Sequence, residues 1–186
     1  MMRKIAAIIL ISAVAVFASA TMVRADETYT AEEIMKAATG FFGQTTEGLA
    51  TAVEKAFSEL GQPNAFITGE EVSGAFFFGL RYGRGELNRK TAGPRNVFWK
   101  GPSIGWDIGG NASKVFTLVY KLKNDEQLFQ RFPGVDGSFY FVAGVGMNYQ
   151  QRGDVVLAPI RTGVGFRAGA NIGYLHYDKE GGWLPF

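Results

Sequence analysis

The run from Thr162 to Tyr177 constrains this chain most. Read as an extended strand, it places Thr162, Val164, Phe166, Ala168, Ala170 and Ile172 on one face. Gly163, Gly165, Arg167, Gly169, Asn171 and Gly173 take the other. Glycine inside a strand weakens it, so a row of glycine needs a reason: sharp coiling of the strand or close approach of another backbone. Gly79, Gly83 and Gly85, after Phe76, Phe77 and Phe78, repeat the pattern. Both runs predict a small, strongly coiled sheet with aromatic side chains filling the space on one surface.

Other segments extend the all-β reading. Val115 to Leu122 alternates Phe116, Leu118, Tyr120 and Leu122 against Val115, Thr117, Val119 and Lys121. Phe139, Phe141, Ala143, Val145, Met147 and Tyr149 alternate against Tyr140, Val142, Gly144, Gly146 and Asn148. Turns are expected at Gly93-Pro94, at Pro133-Gly134 with Asp136-Gly137, at Gly153-Asp154 and at Gly181-Gly182. The predicted fold is mainly β: a small closed or nearly closed antiparallel β-barrel with two N-terminal amphipathic helices.

The helices precede the strands. Thr30, Ala31, Glu32 and Glu33 form a capping box, and Ile34, Ala38, Phe41 and Phe42 follow at helical spacing. A second helix starts near Thr45 or Thr46. Its apolar stripe is Leu49, Ala52, Val53, Ala56, Phe57 and Leu60, and Gly61 and Pro63 end it. The stripes are expected to cover the barrel or one of its ends. Membrane-lying helices carry a lysine-rich polar face, which these lack.

The first residues read as an export signal. Met1, Met2, Arg3 and Lys4 precede an apolar run from Ile5 to Ala18. Small residues suited to cleavage follow at Ala18-Ser19-Ala20 and Val23-Arg24-Ala25. At about 1.5 Å per residue the run covers about 21 Å, short of a hydrocarbon core of about 30 Å. The expected organisation is a signal peptide over 1–25, cleaved after Ala20 or Ala25, a helical segment over 26–62 and the barrel over 63–186. An uncleaved anchor is the alternative. The chain has no cysteine, hence no disulfide and no acylation site of a bacterial lipoprotein. Arg3, Lys4 and Arg24 leave with the signal while all 17 acids stay, so 16 basic residues face 17 acidic ones in the mature chain. A near-neutral product gives no electrostatic case for nucleic acid or a strongly anionic membrane.

Motifs for chemistry are sparse. The single histidine, His176, stands two residues before Asp178, which puts both on one strand face. No serine or cysteine nucleophile is marked to join them. One histidine and no cysteine leave only carboxylates for a metal, and Glu32-Glu33, Glu70-Glu71 and Asp125-Glu126 read as solvated acids at helix starts or turns. The glycine strings at 79–85 and 163–169 lack the strand-to-helix context of a nucleotide loop. No catalytic residue, metal or cofactor is therefore expected. If a pocket exists, Trp106, Asp107, Arg167 and Asn171 are the expected polar and aromatic lining, from their faces alone.

Gly101 to Tyr120, GPSIGWDIGGNASKVFTLVY, resembles the envelope integrity protein A (EipA) family of alphaproteobacteria, as do Phe139 to Asn148 and Gly163 to Tyr174. The likeness runs from about Ile67 to Asp178. More remotely, the layout is similar to the lipid-binding SYLF (Ysc84-type) domain, in the string Gly83-Arg84-Gly85-Glu86-Leu87 and in the run from Gly109-Gly110 to Leu118-Val119. The first resemblance implies a periplasmic β-barrel needed for envelope integrity and connected functionally to outer-membrane polysaccharide. The second implies lipid contact. Neither transfers a catalytic or binding residue. The expected function is a non-catalytic periplasmic protein supporting the envelope through a lipid, glycolipid or protein partner, with membrane contact at most peripheral. The alternatives are a lipid carrier, an outer-membrane-associated barrel, and an enzyme on cell-wall polymer using Asp107 and Asp178.

Overall fold

The structure is a computed structural model. It describes residues 28–107, 112–162 and 173–182, with the backbone alone at 73–79, 103–107 and 112. The signal segment 1–25 lies outside the described residues.

Thr30 caps helix α1 (Ala31–Phe42), with both arms of the capping box made. Its side chain accepts from the Glu33 amide at 3.2 Å, and the Glu33 carboxylate accepts from the Thr30 amide at 2.8 Å. Thr46 caps helix α2 (Glu47–Leu60), and Gly61 ends it at a φ of 78°. Two strands then form a long hairpin, β1 (Ala65–Arg89) and β2 (Ala92–Asp107). They are followed by β3 (Ala112–Tyr120), a 3-10 turn at Asp125–Leu128, β4 (Arg131–Pro133), β5 (Tyr140–Val142), β6 (Val145–Met147), β7 (Gln150–Arg152), β8 (Val155–Thr162) and β9 (Tyr174–Asp178). All pairings are antiparallel, in the order β4-β9-β2-β1-β3-β8-β6-β5, with β7 also on β8. The sheet curls until β4 and β7 meet through a bridge between Gly134 and Gln150. This is the mainly β, barrel-like architecture expected.

Two cores lie on the two sides of this curled sheet. Ile67, Leu87, Val97, Trp99, Val115, Val119, Leu128, Phe132, Leu157, Leu175 and Tyr177 fill the lumen. Phe116, Leu118, Tyr120, Met147, Ala158 and Ile160 face outward from β3, β6 and β8, against Ile34, Ala38, Leu49, Ala52, Val53 and Ala56. The helices thus cover one flank of the barrel. Strand β3 is buried on both faces, which explains why each of its alternating sets is apolar. Pro159 sits where the second edge of β8 changes partner, from β7 at 155–157 to β6 at 160–162. A residue without an amide hydrogen is tolerated at such a break.

Four sequence expectations need correction. Gly93-Pro94 is not the turn: Lys90 and Thr91 turn the chain, and Pro94 lies where the β1–β2 register shifts. Pro133 ends β4 and Gly134 continues into the bridge, so the turn there is Asp136-Gly137 alone. Phe139 to Tyr149 is not one strand but a hairpin. Ala143 and Gly144, at φ 45° and 80°, turn the chain between β5 and β6. The pairings Tyr140↔Met147 and Val142↔Val145 put residues of opposite parity on one face. Phe141 is therefore exposed while Val145 and Met147 are buried. Finally, Glu71 is neither in a turn nor solvated, as described below. Of the run from Thr162 to Tyr177, Thr162 ends β8 and Tyr174 opens β9, each with different neighbours. Residues 163–172 lie outside the described residues.

Candidate functional site

Strand alternation builds the two faces of one wall. Along β1, Ile67, Gly69, Glu71, Gly83 and Leu87 turn inward. Glu70, Val72, Tyr82 and Arg84 turn outward. The same parity puts Trp99 of β2 and Tyr177 of β9 inside, and Phe98, Lys100, His176 and Asp178 outside.

Inside, the lumen core ends in a charged layer. Glu71 is 3% exposed. Its Oε2 accepts from the Trp99 indole N–H at 2.9 Å and from Arg161 Nη2 at 3.3 Å, and its Oε1 accepts from Arg161 Nε at 3.1 Å. Arg81 Nε stands 3.2 Å from the same Oε1. Arg161 also donates from Nη1 to Asn148 Oδ1 at 3.0 Å. Burial alone pushes the Glu71 carboxyl up. The Arg161 and Arg81 guanidiniums, with the hydrogen bonds from Arg161 and Trp99, overcome that and hold it below the ordinary glutamate range. Burial pushes the Tyr177 hydroxyl up strongly. The carboxylate is fully engaged by two cations and an indole, an arrangement that fixes four side chains and leaves no free base.

The glycines make this layer fit. A Cβ on Gly83 would stand 2.0 Å from Trp99 Cε2, and one on Gly69 would stand 2.6 Å from Trp99 Cη2. A Cβ on Gly85 would meet the Thr68 carbonyl oxygen at 2.3 Å. The expected close approach of another backbone occurs at Gly85, and Gly83 adds a use the sequence did not suggest, space for a ring.

Outside, the same strands form a groove of about 370 Å³. Tyr82 and Phe98 supply aromatic surface. Lys100 Nζ lies 2.9 Å from Asp178 Oδ2, and Asp178 Oδ1 lies 3.0 Å from His176 Nε2. The expected His176–Asp178 pairing on one face is thus present. Gly181 and Gly182 form one wall, and a Cβ on Gly181 would stand 3.2 Å from Phe98 Cε1.

Of the predicted lining, Trp106 and Asp107 are described by their backbone alone. The backbone of Trp106 and Asp107 stands at the far end of β2, opposite Phe76 and Ala75. That is about 23 Å along the strand from Trp99. Their side chains, and all of Arg167 and Asn171, lie outside the described residues. Among the described residues no group of three or more His, Asp or Glu side chains is placed to hold a metal. Trp99 and Arg161 were not singled out by sequence, where Glu71 reads as a solvated acid. The available signal was parity: Glu71 follows Ile67 and Gly69 at intervals of two.

The family model of envelope integrity protein A matches residues 27–186. The chain belongs to that family. Its structure is similar to the crystal structure of a beta-barrel-like, uncharacterized protein from Brucella abortus. That protein is 53% identical, with 86% of this chain and 99% of that one covered and a TM-score of 0.78. No curated protein matches. Family membership associates the chain with envelope integrity, and no described helix is long and apolar enough to cross a membrane.

Proposed function

We propose that this chain is a non-catalytic periplasmic protein that supports the envelope by holding a lipid, glycolipid or protein partner on the outside of its barrel. The observation that carries this reading is the engaged lumen. Apolar side chains pack it from Leu128 upward, and the carboxylate of the charged layer is held by Arg81, Arg161 and Trp99. Among the described residues of that layer, none is a base placed within reach of a nucleophile. The outer face favours a water-soluble barrel over a membrane-spanning one. The helices cover one flank, and the other carries Arg84, Lys100, His176 and Asp178, which a hydrocarbon belt would exclude. The lipid contact implied by the SYLF resemblance has a different candidate location, the exposed rings of Phe139 and Phe141 beside β5.

Export and role are tested together. The full chain, expressed in its own host, should be released by osmotic shock with a new N-terminus after Ala20 or Ala25, and should restore detergent resistance to a deletion strain. A processed chain that stays in carbonate-washed membranes would contradict the soluble reading. Full envelope resistance in the deletion strain would contradict the supporting role.

A further inference from the structure

We propose that the outer groove binds the sugar rings of an envelope glycan, which rests on the binding role above and names its ligand class. Three features of the groove select this chemistry.

The first is its layout. Tyr82 is the cross-strand neighbour of Lys100, and Arg84 that of Phe98. On the other edge of β2, Phe98 neighbours Asp178 and Lys100 neighbours His176. Aromatic and charged groups therefore alternate across one open sheet face. A pyranose ring presents a C–H face and a rim of hydroxyls. The face packs on Tyr82 and Phe98, and the hydroxyls exchange hydrogen bonds with the charged groups between them.

The second is charge. Glu70, Asp178 and Glu180 face Arg84 and Lys100 in the groove wall, and Lys100 is already paired with Asp178 at 2.9 Å. Among the described residues of the groove acids outnumber bases, so a phosphate or carboxylate headgroup gains no attraction from them. An acyl chain would strip water from Lys100 and Asp178 without replacing their hydrogen bonds. A neutral, hydroxyl-rich ligand avoids both costs.

The third is order before binding. Asp178 is held from both sides, by Lys100 and by His176. Groups fixed in advance lose little freedom when a ligand arrives.

The test uses the mature protein and two fractions of the outer-membrane glycolipid of its own host: the neutral oligosaccharide obtained after mild acid release and removal of charged fragments by anion exchange, and the lipid remainder in detergent micelles. Each is titrated by calorimetry. The oligosaccharide is expected to bind saturably. Tyr82→Ala should weaken it at least about tenfold. Lys100→Gln should weaken it less, and Lys123→Gln, at an exposed position outside the groove lining, should leave it unchanged. Circular dichroism checks that each variant folds, and Lys100→Gln stands in if Tyr82→Ala does not. No oligosaccharide binding, or binding indifferent to both groove variants, overturns the proposal. Binding of the lipid remainder alone overturns it too, while the broader binding role survives. If neither fraction binds and Tyr82→Ala fully restores the deletion strain, the groove has no ligand role.

Discussion

Trp99 reaches past Gly83, its direct cross-strand neighbour, to donate a 2.9 Å hydrogen bond to Glu71, twelve residues earlier in the same strand as Gly83. One indole thus links the two halves of β1. The strand pairs with β3 over residues 65–72 and with β2 over residues 75–89, and it bends between them, since a Cβ on Gly69 would stand 2.4 Å from the Arg84 carbonyl oxygen. The bend brings Glu71 and Gly83 to the same ring, and the absence of a side chain at Gly83 lets the ring lie flat there.

Removing the Glu71 charge should be costly. Glu71→Leu leaves Arg81 and Arg161 facing each other in the lumen without their carboxylate. A loss of about 3–5 kcal/mol is expected for breaking one partner out of a buried pair. Urea unfolding followed by tryptophan fluorescence measures it. A loss under about 1 kcal/mol would mean the guanidiniums find other partners.

The same carboxylate sets an acid limit, together with Asp125. Asp125 Oδ1 lies 2.9 Å from Arg89 Nη1, and its Oδ2 lies 2.9 Å from Arg95 Nη1. Burial pushes Asp125 up, but the hydrogen bonds and charges of Arg95 and Arg89 hold it below its ordinary range. Both folded carboxyls thus lie below their ordinary values of 4.5 and 3.8. The unfolded chain takes protons first, so their stabilisation is full above those values and disappears as pH falls through the folded ones. Thermal melts should be flat between about pH 7 and 5 as far as these two groups are concerned, then fall steeply below about pH 4.5. Asp125→Asn should make the fall shallower.

Gly83→Ala places a methyl inside the Trp99 ring. Because Trp99 is buried and held by Glu71, the ring cannot swing away without breaking its hydrogen bond. A destabilisation of about 1–3 kcal/mol or more is expected. Trp99→Phe should reduce that penalty in the double variant, and a double-mutant cycle would measure the coupling.

Ala143 adopts a φ of 45° in the turn between β5 and β6, a conformation that costs an alanine energy. It is exposed, so a new side chain meets solvent. Ala143→Asn should stabilise the chain by about 0.5–1 kcal/mol, since Asn-Gly is the preferred pair for such a turn. A melting temperature raised by a few degrees would agree; a lowered one would not.

Local patterns were legible where a single element suffices. The capping box at Thr30, the stops at Gly61 and Pro63, and the two sets of β3 follow from spacing alone. The β5–β6 hairpin was hidden because its two-residue turn, Ala143-Gly144, leaves the apolar spacing unbroken while reversing the chain. Gly93-Pro94 looked like a turn, but the register shift at the end of β1 accommodates a proline inside the ladder. Glu70-Glu71 looked like a solvated pair because parity says only that one acid faces each way. It does not say which side is the lumen.

Sequence by itself determined that this chain bends glycine-rich strands into a curled sheet behind two capped helices, because period, capping and glycine content act over a few residues. The tertiary structure alone decided that Trp99, Glu71 and Arg161 meet, with Gly83 making room, and that Tyr82, Phe98 and Asp178 share one groove. Those meetings depend on the register of β1, β2, β8 and β9 around the barrel. Register is set by many weak pairings acting together across long separations, which no local window of residues contains.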